Sequence, residues 1–186
     1  MKPAIIIVDM LKDNVDIESP FSMGEEGRKI IPRLQELLSI GREQGIPIIY
    51  ACDSRLANDF IFQGRMKPHC IRGTTGEEVI SELQPQNSDI IVPKRLFSAF
   101  FKTDLDITLR QLGIDTIVVG GIATEVCVIM TALDGIGNGF KTIILSDCCA
   151  SYTEEIHHKT LSLYQKSPLR PLFKIMTLAE FISSLE

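Results

Sequence analysis

Five side chains of chemical interest stand where runs of Ile and Val give out. Cys127 follows the apolar run Thr116-Ile117-Val118-Val119, a Gly120-Gly121 break, and Thr124, a capping-type residue followed by Glu125. That order predicts a strand, a tight turn and a helix start, with the thiol in the first helical turn. Unpaired backbone N–H groups and the positive end of the helix dipole favour a thiolate there. The plainer reading of a single cysteine is a small buried hydrophobe. Asp9 closes the first apolar run, Asp53 follows the second, Lys94 the third and Asp147 the fifth. Taken singly, Asp9 could cap a turn and Lys94 could be an ordinary loop lysine.

Thiolate, carboxylate and ammonium at one rim suit covalent hydrolysis. Cys127 attacks a carbonyl carbon, giving a tetrahedral oxyanion and then a thioester. Asp9 takes the thiol proton and passes it to the leaving amine. Lys94 holds both charges in place. Backbone N–H groups of Ala123 and Cys127 are candidates for the oxyanion hole, worth about 3 kcal/mol per donor. This arrangement needs none of the three histidines.

The elements that must position these groups alternate along the whole chain. Predicted strands are Ala4–Asp9, Pro47–Ala51, Asp89–Pro93, Thr116–Val119, Thr142–Leu145 and Phe173–Met176. Most lack polar alternation, as strands buried on both faces of a parallel sheet do. Predicted helices are Gly27–Gln44, Gly76–Leu83, Asp104–Leu112, Glu125–Gly137, Thr153–Tyr164 and Leu178–Leu185. Gly45, Gly113 and Gly139 each sit where a left-handed helix cap is expected before a strand. Right-handed crossovers build such a β-α series into an α/β three-layer sandwich around a doubly wound parallel sheet of about six strands. Ligands of open α/β sheets bind outside the carboxyl ends of the strands, near the switch in strand order. That rule brings Asp9, Asp53, Lys94, Cys127 and Asp147 to one rim. The long irregular stretch Cys52–Thr75 is a candidate binding loop.

At 186 residues, 45% of them hydrophobic and 23% charged, the chain suits one globular domain over residues 1–186. A net charge of −5 with scattered basic residues argues against nucleic acid as a partner. The start enters a strand directly, without a secretory leader pattern, and no apolar run reaches the roughly 18 residues of a membrane span. Five cysteines without metal-type spacing point to a reducing, cytoplasmic setting. The first strand leads into Asp9-Met10-Leu11-Lys12, which lacks the glycine-rich turn of a dinucleotide-binding enzyme. Cys148-Cys149 forms no C-x-x-C motif, so a thiol redox role is disfavoured.

Several segments resemble the isochorismatase-like cysteine hydrolases, the superfamily that includes nicotinamidase and N-carbamoylsarcosine amidase. They are Ile6-Ile7-Val8-Asp9-Met10, Pro68-His69-Cys70-Ile71-Arg72-Gly73-Thr74, Pro93-Lys94-Arg95-Leu96-Phe97-Ser98-Ala99-Phe100, Thr103-Asp104-Leu105-Asp106, Gly120 to Val128, and Asp147-Cys148-Cys149-Ala150. They fall in family order over nearly the whole chain. The resemblance implies that Asp9, Lys94 and Cys127 form the triad and that the Ile122–Ala123 peptide is cis, turning an N–H into the oxyanion hole. It also implies hydrolysis of a C–N bond, because isochorismatases that cleave a vinyl ether lack the cysteine. A homo-oligomer, dimer or tetramer, is implied as well; the apolar runs Phe60, Ile61, Phe62 and Phe97–Phe101 are its candidate contacts, or else a pocket lid.

The departures from the family concern metal and substrate. Nicotinamidases bind a metal through an Asp after the second strand, a His two residues later, and the His of the proline-histidine-cysteine segment. Asp53 and His69 match, but the middle position is Arg55. Two protein ligands hold a metal poorly, so no cofactor is expected, beyond a weak divalent ion at Asp53 and His69. Asp53 is expected to pair with Arg55 or His69 instead, and His157 and His158 are expected at the surface. Asn14 stands where the family has a phenylalanine, and Met66 lies where an aromatic stacks on nicotinamide. Asn14, Arg55, Met66 and Thr124 are therefore the candidate substrate-binding residues. Arg55, Arg65 or Lys67 could meet the carboxylate of a carbamoyl amino acid. The leading expectation is a thiol amidohydrolase releasing ammonia from a small amide, carbamoyl or ureido compound; the alternatives are a nicotinamidase proper and a non-catalytic binding or assembly protein of the same fold.

Overall fold

The computed structural model describes residues 1–16 and 22–185. Six strands, β1 (Pro3–Val8), β2 (Ile48–Asp53), β3 (Ile90–Lys94), β4 (Thr116–Ile122), β5 (Lys141–Ala150) and β6 (Phe173–Met176), form one sheet. The order is β3-β2-β1-β4-β5-β6 and every pairing is parallel. Chain order therefore reverses between β1 and β4. This is the switch point at which an open α/β sheet leaves a crevice.

Successive residues of β1 face opposite layers. Ile5 and Ile7 pack with Leu34, Leu37 and Leu38 of helix α3 (Ile31–Glu43) and with Phe181 of α7 (Leu178–Ser183). Ala4, Ile6 and Val8 pack on the other side with Leu105 and Leu109 of α4 (Leu105–Gln111), with Ile129 and Ala132 of α5 (Ile129–Gly137), and with Leu161 of α6 (Glu154–Gln165). Five consecutive residues, Ala4 to Val8, are buried, and each isoleucine contributes about 2 kcal/mol by leaving water. Double-sided burial explains why these runs lack polar alternation.

Three expectations need correcting. The Gly120-Gly121 pair does not break the strand, because β4 runs on to Ile122, with an irregular register against β5 between Val119 and Gly121. Gly121 has φ +118°, and a Cβ there would fall on the Val8 carbonyl oxygen. The glycine therefore lets β4 lie against β1 at the switch point. The helix predicted over Gly76–Leu83 is instead two short 3₁₀ turns, Thr75–Glu77 and Ser81–Leu83. Between them Val79 bridges Leu11, and the bonds Lys12 N–H to Glu78 O (2.9 Å) and Ile80 N–H to Met10 O (3.1 Å) divert backbone groups that a helix needs. The single helix predicted over Gly27–Gln44 is α2 (Gly24–Lys29) followed by α3. Pro32 sits at the start of α3, where its missing N–H costs nothing, but it cannot continue α2.

Candidate active site

The backbone after β1 turns sharply at Asp9, which has φ +54°. Aspartate tolerates this left-handed conformation better than most residues. The turn is fixed by Asp9 N–H on Ala51 O (3.0 Å) and by the Asn14 amide donating to Asp9 O (3.1 Å). The Asp9 carboxylate then points back over the strand ends. Its Oδ1 accepts the Asp53 N–H at 2.9 Å and its Oδ2 accepts Lys94 Nζ at 2.7 Å.

Lys94 ends β3, an edge strand where Pro93 can sit without wasting a ladder hydrogen bond. Val92 and Lys94 both face inward, so the ammonium is fully buried. It donates to Asp9, to Asp53 Oδ1 at 2.5 Å and to Leu96 O at 3.3 Å. Asp53 also pairs with Arg55, which is 1% exposed. Arg55 is held there by a parallel bridge to Ile71, its N–H on Cys70 O. The Arg55 guanidinium also lies against His69 Nε2, while His69 Nδ1 is 2.8 Å from Lys67 O. The carbonyl can only accept, so Nδ1 carries the proton and Nε2 is the acceptor for Arg55. Asp53 was expected to pair with Arg55 or His69; the carboxylate takes Arg55, and the guanidinium reaches the histidine.

Cys127 is reached differently from the expected first helical turn. Residues Thr124–Val128 form one turn of π-helix ahead of α5, entered from Ala123, and the Ile122–Ala123 peptide is cis. π-turns in helices recur at functional sites. Cys127 Sγ and one carboxylate oxygen each of Asp9 and Asp53 lie within 4.8 Å of one another. Four of the five rim residues thus converge. Asp147 does not, because β5 runs through it to Ala150 and its Oδ1 accepts the Leu178 N–H at the start of α7 (2.8 Å).

Charge and burial set the protonation states. Burial, reinforced by Asp53 and opposed by Lys94, raises Asp9 to about 6. Burial would lower Lys94, but Asp53 and Asp9 outweigh it and raise it. Burial pushes the Cys127 thiol well above its usual value, with Lys94 pulling the other way. This corrects the expectation from the helix dipole. The resting sulfur is a thiol next to a carboxylate whose basicity burial has raised, not a standing thiolate. Burial and then Arg55 lower His69, keeping it neutral.

Beside these groups lies a cavity of about 90 Å³ lined by Asp9, Asp53, Arg55, His69 and Cys127, with Asn14, Met66 and Ala123. Three of the four expected substrate contacts are therefore at the cavity. Thr124 is not: it is fully buried, caps nothing, and its hydroxyl is 2.9 Å from Nδ1 of His157. His157, expected at the surface, is buried, whereas His158 is exposed. The sequence reading missed half of the aromatic wall. Phe97 and Tyr152 line the cavity, and Tyr152 is 57% exposed. Phe97 belongs to the segment expected as interface or pocket lid, and no spacing signal marks Tyr152. Of the other candidate contacts, Phe60 (75%) and Phe101 (50%) are exposed and Ile61 is buried. No described helix is long and apolar enough to cross a membrane.

Comparisons with known proteins agree with this fold. The isochorismatase domain family model matches residues 3–177. The crystal structure of an isochorismatase-like hydrolase from Alkaliphilus metalliredigens superposes with a TM-score of 0.91 at 39% identity, covering 100% of both chains. An uncharacterized isochorismatase family protein, PncA of Bacillus subtilis (strain 168), is 30% identical over 176 residues, 90% of this chain and 96% of that protein. N-carbamoylsarcosine amidase from Thermoplasma acidophilum superposes with a TM-score of 0.81 at 29% identity, over 95% of this chain and 96% of that one.

Proposed function

The chain belongs to the isochorismatase family of hydrolases, and on that footing we propose that it cleaves the C–N bond of a small amide, carbamoyl or ureido compound through a thioester on Cys127, releasing ammonia. One observation carries the reading: the Cys127 sulfur lies within 4.8 Å of a carboxylate oxygen of Asp9, whose basicity is raised to about 6, and both line the same cavity. A general base works best when its pKa lies near the operating pH.

The steps use this chain's own groups. Asp9 takes the thiol proton as sulfur bonds to the carbonyl carbon. The carbonyl oxygen becomes an oxyanion, for which the N–H groups of Ala123 and Cys127, at the cavity wall, are the donors. Collapse breaks the C–N bond, and Asp9 returns its proton to the leaving nitrogen, which departs as ammonia. Water, deprotonated by Asp9, attacks the thioester; the acid leaves and the thiol is restored. Lys94, bonded to both carboxylates, keeps Asp9 oriented and its charge balanced while the proton moves.

The donor set does not suit a resident metal. An ion held by Asp53 and His69 would have to displace the guanidinium that contacts both. The cluster of Asp9, Asp53 and Cys127 likewise already holds the Lys94 ammonium. No step is therefore routed through a metal. Assembly into a homo-oligomer through exposed Phe60 and Phe101 belongs to the same proposal. So does a cytoplasmic setting, in which the five free thiols persist.

Phe97 and Tyr152 favour one second reading, an aromatic amide such as nicotinamide stacked between them. Ammonia release across nicotinamide, simple aliphatic amides and N-carbamoyl acids separates the two. Turnover that vanishes in Cys127→Ser supports the reading. No ammonia from any amide, carbamoyl or ureido compound, with folded protein, overturns it.

A further inference from the structure

The turn that carries Cys127 is held by side chains that stand apart from the proposed chemistry. Thr124–Val128 is a single π-turn, closed by bonds such as Val128 N–H to Ala123 O (3.2 Å) and Ile129 N–H to Thr124 O. A lone turn fixes many dihedral angles for few backbone bonds, so its orientation depends on what its side chains meet. Two consecutive residues of it reach across to the segment that follows β5. The fully buried Thr124 hydroxyl lies 2.9 Å from Nδ1 of His157, and the Ser151 hydroxyl donates to Glu125 Oε2. His157 is buried in its turn and mounted at the start of α6. There the Thr153 hydroxyl accepts the Ile156 N–H (3.2 Å) and the Thr153 carbonyl accepts the His157 N–H (3.1 Å). His157 does not line the cavity.

Thr124 stands between the two N–H groups assigned to the oxyanion. Ala123 precedes it directly, and Cys127 follows within the same turn. A rotation of the turn therefore moves the sulfur and both donors together. Such groups work only when they are held in place beforehand, and a misplacement of about 1 Å can cost about 10²-fold in rate. Resting on the amidohydrolase reading above, we infer that His157 is a positioning residue: by holding the Thr124 hydroxyl it sets the orientation of the π-turn, and so directs Cys127 Sγ and the Ala123 and Cys127 N–H groups at the scissile carbonyl. Ser151, on Glu125, steadies the next residue of the same turn. Tyr152 lies between Ser151 and His157 in the chain. The segment that supplies one wall of the cavity thus also grips the turn that carries the nucleophile.

The test is steady-state ammonia release, at a temperature where circular dichroism shows each variant folded. His157→Leu is expected to lower kcat by about 5- to 10-fold with KM little changed, the signature of a contact that matters only in the transition state. His157→Asn keeps an amide atom where Nδ1 stood and should recover most of that loss. Thr124→Val removes the other end of the bond and should lower kcat by about 5-fold; adding His157→Leu to it should cost little more. His158→Leu, at an exposed neighbour on the same helix, should leave kcat in place. An unchanged kcat in His157→Leu, a change in KM alone, additive losses in the double variant, or an equal loss in His158→Leu overturns the inference while leaving amide hydrolysis intact. Should His157→Leu fail to fold, Thr124→Val against Thr124→Ser decides: a loss in Val that Ser restores supports the inference, and equal rates refute it. Absence of ammonia from the unaltered chain on every compound is instead a failure of the amidohydrolase reading.

Discussion

Cys127 and Cys149 sit on neighbouring strands' exits and are buried alike, yet their surroundings could hardly differ more. Cys149 lies inside β5 among apolar residues, its sulfur donating to the Val119 carbonyl (3.7 Å). Cys127 lies one strand over, past the end of β4, on a π-turn beside a carboxylate, an ammonium and a cavity. Burial raises both thiols. Depth is therefore not what distinguishes a reactive sulfur here. The distinction is a carboxylate base within 4.8 Å and a cavity beside the sulfur.

The comparison breaks first at the nucleophile. Cys127→Ser is expected to lower kcat by about 10³-fold or more, as loss of a covalent nucleophile does, while Cys149→Ala changes steady-state ammonia release by only a few fold. Asp9→Asn, which keeps shape but removes the base, should cost about 10²- to 10⁴-fold in kcat/KM. Lys94→Ala sharpens the electrostatic side. It strips two buried carboxylates of their ammonium, so chemical denaturation should show a loss of about 3–5 kcal/mol. Iodoacetamide at neutral pH should label Cys127 alone, at a rate that rises as Asp9 ionises around pH 6 and then levels; labelling of Cys148 or Cys149 first would remove the distinction drawn above. The smallest effect is expected at Thr124→Val. It cuts the hydroxyl from His157 and should cost about 1 kcal/mol in stability.

The same Asp9 links stability to pH. Its folded pKa is raised to about 6 from 3.8, so its contribution is fully present below pH 3.8 and is lost as pH rises through 6. Asp9→Asn should flatten that part of the stability profile.

Much of this was legible in the chain. The Ile- and Val-rich run of β1 announced a strand covered on both faces, and polar residues at the ends of β1, β3 and β4 announced the rim where a ligand binds. Position relative to a strand end was enough for Asp9, Lys94 and Cys127, because a parallel sheet brings its carboxyl ends together whatever the loops do. It failed for Asp147 because β5 extends past Leu145, and nothing in Ser146-Asp147-Cys148-Cys149 marks where pairing stops. It failed for Gly76–Leu83 because local propensity cannot see the bridge from Leu11. Thr124 misled for a similar reason: Thr-Glu at a helix start suggests a cap, but His157, thirty-three residues later, claims the hydroxyl. Tyr152 carried no signal at all, since only the fold brings the segment after β5 over the cavity.

Intact-protein mass spectrometry during turnover tests the central claim most directly. Quenched in acid while a good substrate is being consumed, the chain should carry an added mass equal to the substrate minus ammonia, mapping to the peptide that contains Cys127. Sustained ammonia release by a chain lacking that sulfur, or an acyl group found on any other residue, would contradict the account.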